Sequence, residues 1–183
     1  MGNRLRSELM VEKDPLFKDR VAVEMRKYFN TDSRRIDHAS RVALYAEKLA
    51  VEENGDPAVV IPTAYLHDIG IKEAERKHKS TAARYQHEEG PPIAREIMEK
   101  LAATEELITE VCDIVGHHHN PRPHESINFK VLYDADLIVN IEDNLRENKI
   151  SAEAVRKLVT KRFLTLSGQK MAVAMFIPSK KEV

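Results

Sequence analysis

The sequence predicts an all-α fold, a compact single-domain helical bundle. Three observations carry this. Apolar residues recur at helical spacing through most of the chain. No stretch alternates apolar and polar residues as a half-buried strand does, apart from an ambiguous tail after Thr165. The chain's 183 residues suffice for one substantial core.

From Pro15 to Phe29, the apolar positions Val21, Val23, Met25, Tyr28 and Phe29 predict a first helix that breaks at Asn30. Asp32 or Ser33 caps the next, which runs to about Glu53 with Val42, Tyr45, Ala46 and Leu49 on one stripe. Asn54-Gly55 closes it, with glycine as the usual C-terminal residue. Asp56-Pro57 opens a strongly apolar helix, with Pro62 in its early part, that leads to His67-Asp68 and stops near Gly70.

Residues 72–90 are polar with weak periodicity, and read as a loop or short helices over a site. Pro91-Pro92 then starts a helix with Ile93, Ile97, Met98 and Leu101 inward. Leu107 to Val115 is helical and ends near Gly116 and three histidines. The stretch Asn120-Pro121-Arg122-Pro123 is a loop, Phe129 to Leu145 a long helix, and Ala152 to Leu164 another. The apolar run Met171 to Ile177 reads as a short helix docking on the core.

The 29 basic and 30 acidic residues leave a net charge of −1, which gives no case for an extended nucleic-acid surface. No apolar run reaches membrane-spanning length, and the N-terminal stretch lacks the apolar region of a secretory signal. The lone Cys112 permits no intrachain disulfide and sits in an apolar stretch, as a small core residue does. The expectation is a cytoplasmic protein.

The chemistry-bearing residues are His38, the doublet His67-Asp68, His87, the run His117-His118-His119, and Asp136. Most lie inside or at the ends of apolar segments, where an imidazole or carboxylate is costly unless compensated. A shared metal centre is the simplest compensation, and imidazole with carboxylate suits transition metals. Taken singly, each has a plainer reading: a satisfied core histidine, or a polar helix end favoured by the dipole. Asp134 and Asp136 are two apart on one helix, so only one faces the site; Asp136 has the more apolar context. Three neighbouring histidines cannot converge on one point if each step turns 100°, so His117 and His118 are expected inward and His119 outward. His78 and His124 are expected in solvent.

The order His, His-Asp, His, histidine cluster, Asp, running from RIDHASRV through YLHDIG and HHH to LYDAD, resembles the HD-domain superfamily of metal-dependent phosphohydrolases across roughly residues 33–145. The resemblance implies a helical core of the HD type binding one or two divalent ions (Mn, Fe, Co, Ni or Zn). It implies His38, His67, Asp68 and Asp136 as ligands of one ion, and His87 with His117 and His118 as ligands of a second. Departures from the family pattern are present. Ile71 stands where many binuclear members carry lysine, Gln86 stands where a ligand histidine is common, and the Tyr-Pro motif of the cyclic-di-GMP-degrading branch is missing after HHH. Glu88 or Glu89 is the alternative to His87.

The activity so implied is hydrolysis of a phosphoester, of a nucleotide or another small phosphorylated metabolite, by a metal-activated hydroxide, with Asp68 as the catalytic, bridging carboxylate. Arg122, Lys72 and Arg84 are the expected phosphate-binding cations. The alternatives are a di-iron oxygenase of the same fold and a non-catalytic nucleotide-binding protein.

Overall fold

The computed structural model describes residues 16–177. Pro15, the expected start of the first helix, and the N-terminal stretch examined for a leader lie outside them.

Among the described residues there are helices and no strands. In chain order they are α1 (Phe17–Phe29), α2 (Ser33–Glu53), α3 (Pro57–Leu66), α4 (Ile71–His78), α5 (Ala83–Lys100), α6 (Glu105–Val115), α7 (Ile127–Arg146), α8 (Ala152–Lys161) and α9 (Leu166–Phe176). The starts are written in the sequence. Asp32, Asp56, Thr104, Ser126, Ser151 and Thr165 each accept a backbone N–H of the first turn that follows. Asp32 is thus the cap and Ser33 the first helical residue. At the end of α2 the left-handed residue is Asn54, with φ 56°, rather than Gly55.

Three helices form the centre. α2 lies against α3 and α7, and α3 also touches α6 and α7. α1 covers α3 and α2, α5 pairs with α6, and α9 joins α8 to α7. The core side chains Met25, Leu49, Leu66, Met98, Ile114, Phe129, Leu132 and Ile138 are nearly or wholly inaccessible. α3 is buried on almost every side, which explains why it reads as a continuous apolar run with no polar face. No helix among the described residues is long and apolar enough to cross a membrane.

Residues 72–90, read as a loop or short helices, are helical, and the departure lies at the prolines that follow. The stretch forms α4 and the first turns of α5, so Pro91 and Pro92 lie inside a helix rather than opening one. The inward residues of early α5 are Gln86, Glu89 and Gly90, none of which registers as apolar periodicity. Glu89 is inward because Lys77 and His78 hold it, at 2.6 and 3.0 Å. Gly90 is inward because α5 crosses the chain at Gly70 almost backbone to backbone. A Cβ at Gly70 would stand 2.5 Å from Gly90 N and 2.6 Å from Gln86 O. Helices without apolar ridges at their contact are invisible to a periodicity reading.

Asp134 has a structural role. It is fully buried and accepts hydrogen bonds from Leu164 N, Thr165 N and Thr165 Oγ1, tying the start of α9 to α7. Burial pushes its carboxyl up to about 6 against these three donors. Cys112 is half-buried and donates to Pro91 O at 3.4 Å, and burial pushes its thiol pKa up, as a packing residue rather than a nucleophile requires.

Gly70→Ala is expected to cost roughly 1–3 kcal/mol or more in urea unfolding, because backbone rather than a flexible side chain must give way. An unchanged midpoint would show that the crossing is not as close as described.

Candidate metal centre

Each polar side chain of the centre arrives from a different element. His38 sits on α2 beside the buried Ala39 and Val42. His67 caps the end of α3 and Asp68 follows in the turn before α4. His87 lies on α5, and His118 and His119 lie in the turn after α6. Asp136 lies on α7, next to the buried Ala135.

They converge. His38 Nε2 lies 3.1 Å from Asp136 Oδ1 and 3.9 Å from Asp68 Oδ2. His67 Nε2 lies 3.5 Å from Asp68 Oδ2 and 3.6 Å from Asp136 Oδ1. On the other side, His118 Nε2 lies 3.5 Å from Asp68 Oδ1. One oxygen of Asp68 therefore faces His67 and the other His118. The ring of His87 stands 5.3 Å from each of His118 and His119, centroid to centroid.

The ring tautomers are set by the backbone. His67 Nδ1 donates to Ala64 O at 2.8 Å, and His118 Nδ1 donates to Val115 O at 2.9 Å. That arrangement aims each Nε2 at the centre, as ligating histidines require. Both Nε2 atoms are buried without a hydrogen-bond partner, a distinction shared among the described residues only with Gln86 Oε1. A buried imidazole nitrogen left unpaired is costly, and an electron-pair acceptor between these groups removes the cost.

Two groups of ligand atoms are close enough to hold an ion: His38, His67 and Asp68 in one, and His87, His118 and His119 in the other. Asp136 borders the first through His38 and His67. The donor set of imidazole and carboxylate fits a divalent transition metal.

The electrostatics of the two groups differ. Burial lowers the His67 pKa, but the charges of Asp68 and Asp136 outweigh it and push it up to about 9. Burial raises Asp68, but His67 and His118 hold its carboxyl well below the usual range. Asp136 behaves in the same way, with His38 and His67 outweighing burial. In the second group, burial followed by neighbouring imidazoles pushes His87 and His119 down to about 4.

The expected order within the histidine run is corrected. His119 joins the cluster and His117 does not. His117 Nδ1 donates to Asp113 O at 2.5 Å, Nε2 lies 3.0 Å from Glu125 Oε1, and the ring stacks on Phe129 at 4.6 Å. The argument that one of three neighbours must turn away stands, but partners on α7 and the preceding loop select the first. The chain here is also a turn with i→i+3 bonds, His117 N to Ile114 O and Asn120 N to His117 O, so the 100° step of an α-helix does not apply.

His78 is not in solvent either: it contacts Glu89 and stacks on Tyr85 at 4.1 Å. With Glu88 and Glu89 it makes a third group of ligand type, but Lys77 already neutralises Glu89. His124 is exposed, as expected.

The three expected phosphate-binding cations are elsewhere. Arg122 pairs with Asp113 at 2.9 and 3.1 Å, Lys72 donates to Tyr28 O, and Arg84 donates to Tyr85 Oη. None lines the cavity of about 420 Å³ that opens on His38 and Asp68; its cations are Arg34, Arg35 and Lys149. The first two stand three and four residues before His38, on its face of α2, and that spacing is a legible signal. Asn140 and Asn144 also line the cavity, one and two helical turns after Asp136 on α7.

Residues 35–162 match the HD domain family. A solved structure described as a predicted HD superfamily hydrolase, from an uncultured Thermotogales bacterium, superposes with a TM-score of 0.64 and 26% identity, covering 91% of this chain and 88% of that one. No curated protein matches.

His119→Ala is expected to lower the number of metal ions bound per chain, measured by elemental analysis after dialysis against a manganese buffer. His117→Ala is expected to leave that number unchanged and to lower Tm, since it removes a buried stack and a hydrogen bond. The opposite pattern would restore the original order.

Proposed function

We propose, since the chain belongs to the HD domain family, that this member of a hydrolase superfamily is a metal-dependent phosphohydrolase. Its substrate is a phosphoester of a nucleotide or another small phosphorylated metabolite. The observation that carries the reading is the pair of unpartnered buried nitrogens, His67 Nε2 and His118 Nε2, each 3.5 Å from a different oxygen of Asp68. His38, His67, Asp68 and Asp136 hold one ion, and His87, His118 and His119, with Asp68 between the groups, hold the second.

In the reaction, the oxygen of water bonds to phosphorus as the bond from phosphorus to the leaving oxygen breaks. One proton of the water ends on the leaving alcohol. Four groups of the cluster are weak bases: against burial, His67 and His118 hold Asp68, and His38 and His67 hold Asp136, well below the usual carboxylate range, and burial pushes His87 and His119 down to about 4. When bound, divalent ions supply what these groups lack, by acidifying water and offsetting charge on the phosphoryl oxygens.

The side chains position. Asn140 Nδ2 donates to Asp136 Oδ1 at 2.9 Å and fixes that carboxylate. Asp143 stands 3.6 Å from His38 Nδ1 and faces its ring from behind. Arg34, Arg35 and Lys149 at the cavity replace Arg122, Lys72 and Arg84 as the cations nearest a bound phosphate.

Metal analysis of the protein purified without added metal, together with hydrolysis of p-nitrophenyl phosphate, tests the reading. Activity that requires Mn, Co, Ni or Zn, and is lost in Asp68→Ala with its metal, supports it. Two irons with an oxo-bridge absorption and no phosphatase activity would overturn it in favour of the oxygenase.

Metal binding should also depend on pH with a defined sign. In the metal-free chain His67 holds a proton up to about pH 9, and that proton must leave before Nε2 can ligate. Affinity therefore rises about tenfold per pH unit between roughly 6 and 8.5, with one proton released per ion in the first group. Calorimetry in buffers of different ionisation enthalpy reads the count. A flat profile would show that His67 is already neutral.

A further inference from the structure

The cavity beside the centre carries information about what the phosphate is attached to. We infer that the attached group is a sugar or polyol, so that the substrate is a hydroxyl-rich phosphomonoester whose recognition does not depend on a nucleobase. This deepens the phosphohydrolase reading and rests on it.

The first observation is the whereabouts of the aromatic rings. The chain has five tyrosines, five phenylalanines and no tryptophan, all between Phe17 and Phe176, within the described residues. None lines the cavity. Phe17, Phe29, Phe129 and Tyr133 are in the core. Tyr28 lies under Lys72, Tyr45 Oη is bonded to Glu142, and Tyr85 is stacked on His78. A base entering the cavity finds no phenylalanine, tyrosine or tryptophan; the ring that does line it, His38, is engaged with Asp136, and the guanidinium groups of Arg34 and Arg35 are held by carboxylates, so stacking, a main source of affinity for a base, has little to draw on.

The second observation is charge. Away from Asp68, three cations of the lining (Arg34, Arg35, Lys149) are matched by three carboxylates (Asp32, Asp143, Glu147). Arg34 pairs with Glu147 at 3.0 Å and Arg35 with Asp32 at 3.0 Å. A balanced lining offers no surplus for a polyphosphate tail, and suits a single phosphate on an uncharged group.

The third observation concerns donors and acceptors. Asn140 and Asn144 spend amide N–H groups inside the protein, on Asp136 Oδ1 and Asn140 O. Gln86 does the same on Thr81 O, and its Oε1 is buried without a partner. All three residues line the cavity, and each amide keeps a second N–H beside its carbonyl oxygen, so the lining can both donate and accept. Hydroxyls match such a lining because each both donates and accepts, whereas a phosphate dianion only accepts.

Binding of three probes to the manganese-loaded chain tests this. They are the non-hydrolysable phosphonate analogues of ribose 5-phosphate and of AMP, and inorganic phosphate, each titrated by calorimetry. The ribose analogue is expected to bind at least tenfold more tightly than inorganic phosphate, and the AMP analogue no more tightly than the ribose one. A tenfold preference for the AMP analogue would overturn the inference, as would a ribose analogue no better than phosphate. In Asn144→Leu the advantage of the ribose analogue over phosphate should fall at least threefold, and an unchanged ratio would count against the inference. Cleavage of p-nitrophenyl phosphate by the same preparation judges the phosphohydrolase reading separately. The expected binding order without cleavage would sink that reading and leave the cavity's specificity intact.

Discussion

The arrangement depends on two carboxylates, Asp136 buried and Asp68 partly buried at the cavity, that share a cluster of imidazoles. Asp68 and Asp136 both stand close to His67 Nε2, which is 1% exposed as a residue. Isolating one such charge from water costs several kcal/mol, and two of like sign cost more. In the metal-free chain a proton on His67 offsets this, and its raised pKa of about 9 reflects the offset. The helices are packed so that α2, α3 and α7 each deliver one member of this set, and those are the helices with the central contacts. The polar cluster and the core are thus one construction: moving α7 against α2 would separate Asp136 from His38 as well as opening the apolar layer.

Much of this was legible in the sequence because the relevant helices bury apolar stripes. α2, α6 and α7 follow from periodicity and caps; His38, the doublet and Asp136 stand out as polar groups in apolar segments, and their grouping as one set of ligands is what the family resemblance implies. What could not be read is where contacts are made without apolar side chains. α4 and the start of α5 meet through Gly70, Gly90 and a Glu89 neutralised by Lys77 and His78, so their inward faces look polar. The choice between His117 and His119 turns on Phe129 and Glu125, ten or so residues away, which no local spacing encodes. Arg34 and Arg35 were a different kind of miss. Their signal is a spacing of one helical turn before His38, whereas Lys72 and Arg122 are near the other site residues only in sequence. Nearness in sequence says little when the next helical turn points a side chain at Tyr28 or Asp113.

The two ligand groups are unequal, and the inequality has a consequence for how the proposed centre fills. The first is rich in charge, with two carboxylates against the His67 proton. The second is built from three imidazoles and borrows its only nearby charge from Asp68. Since His87 and His119 are held near 4, their nitrogens are neutral through the whole physiological range and lose no proton on ligation. An ion entering there meets no proton competition but little negative charge. An ion entering the first group meets strong negative charge but must displace a proton. The first group therefore gains affinity as pH rises while the second does not. Asp68, with one oxygen toward each group, is the side chain through which an ion in one would be felt by the other.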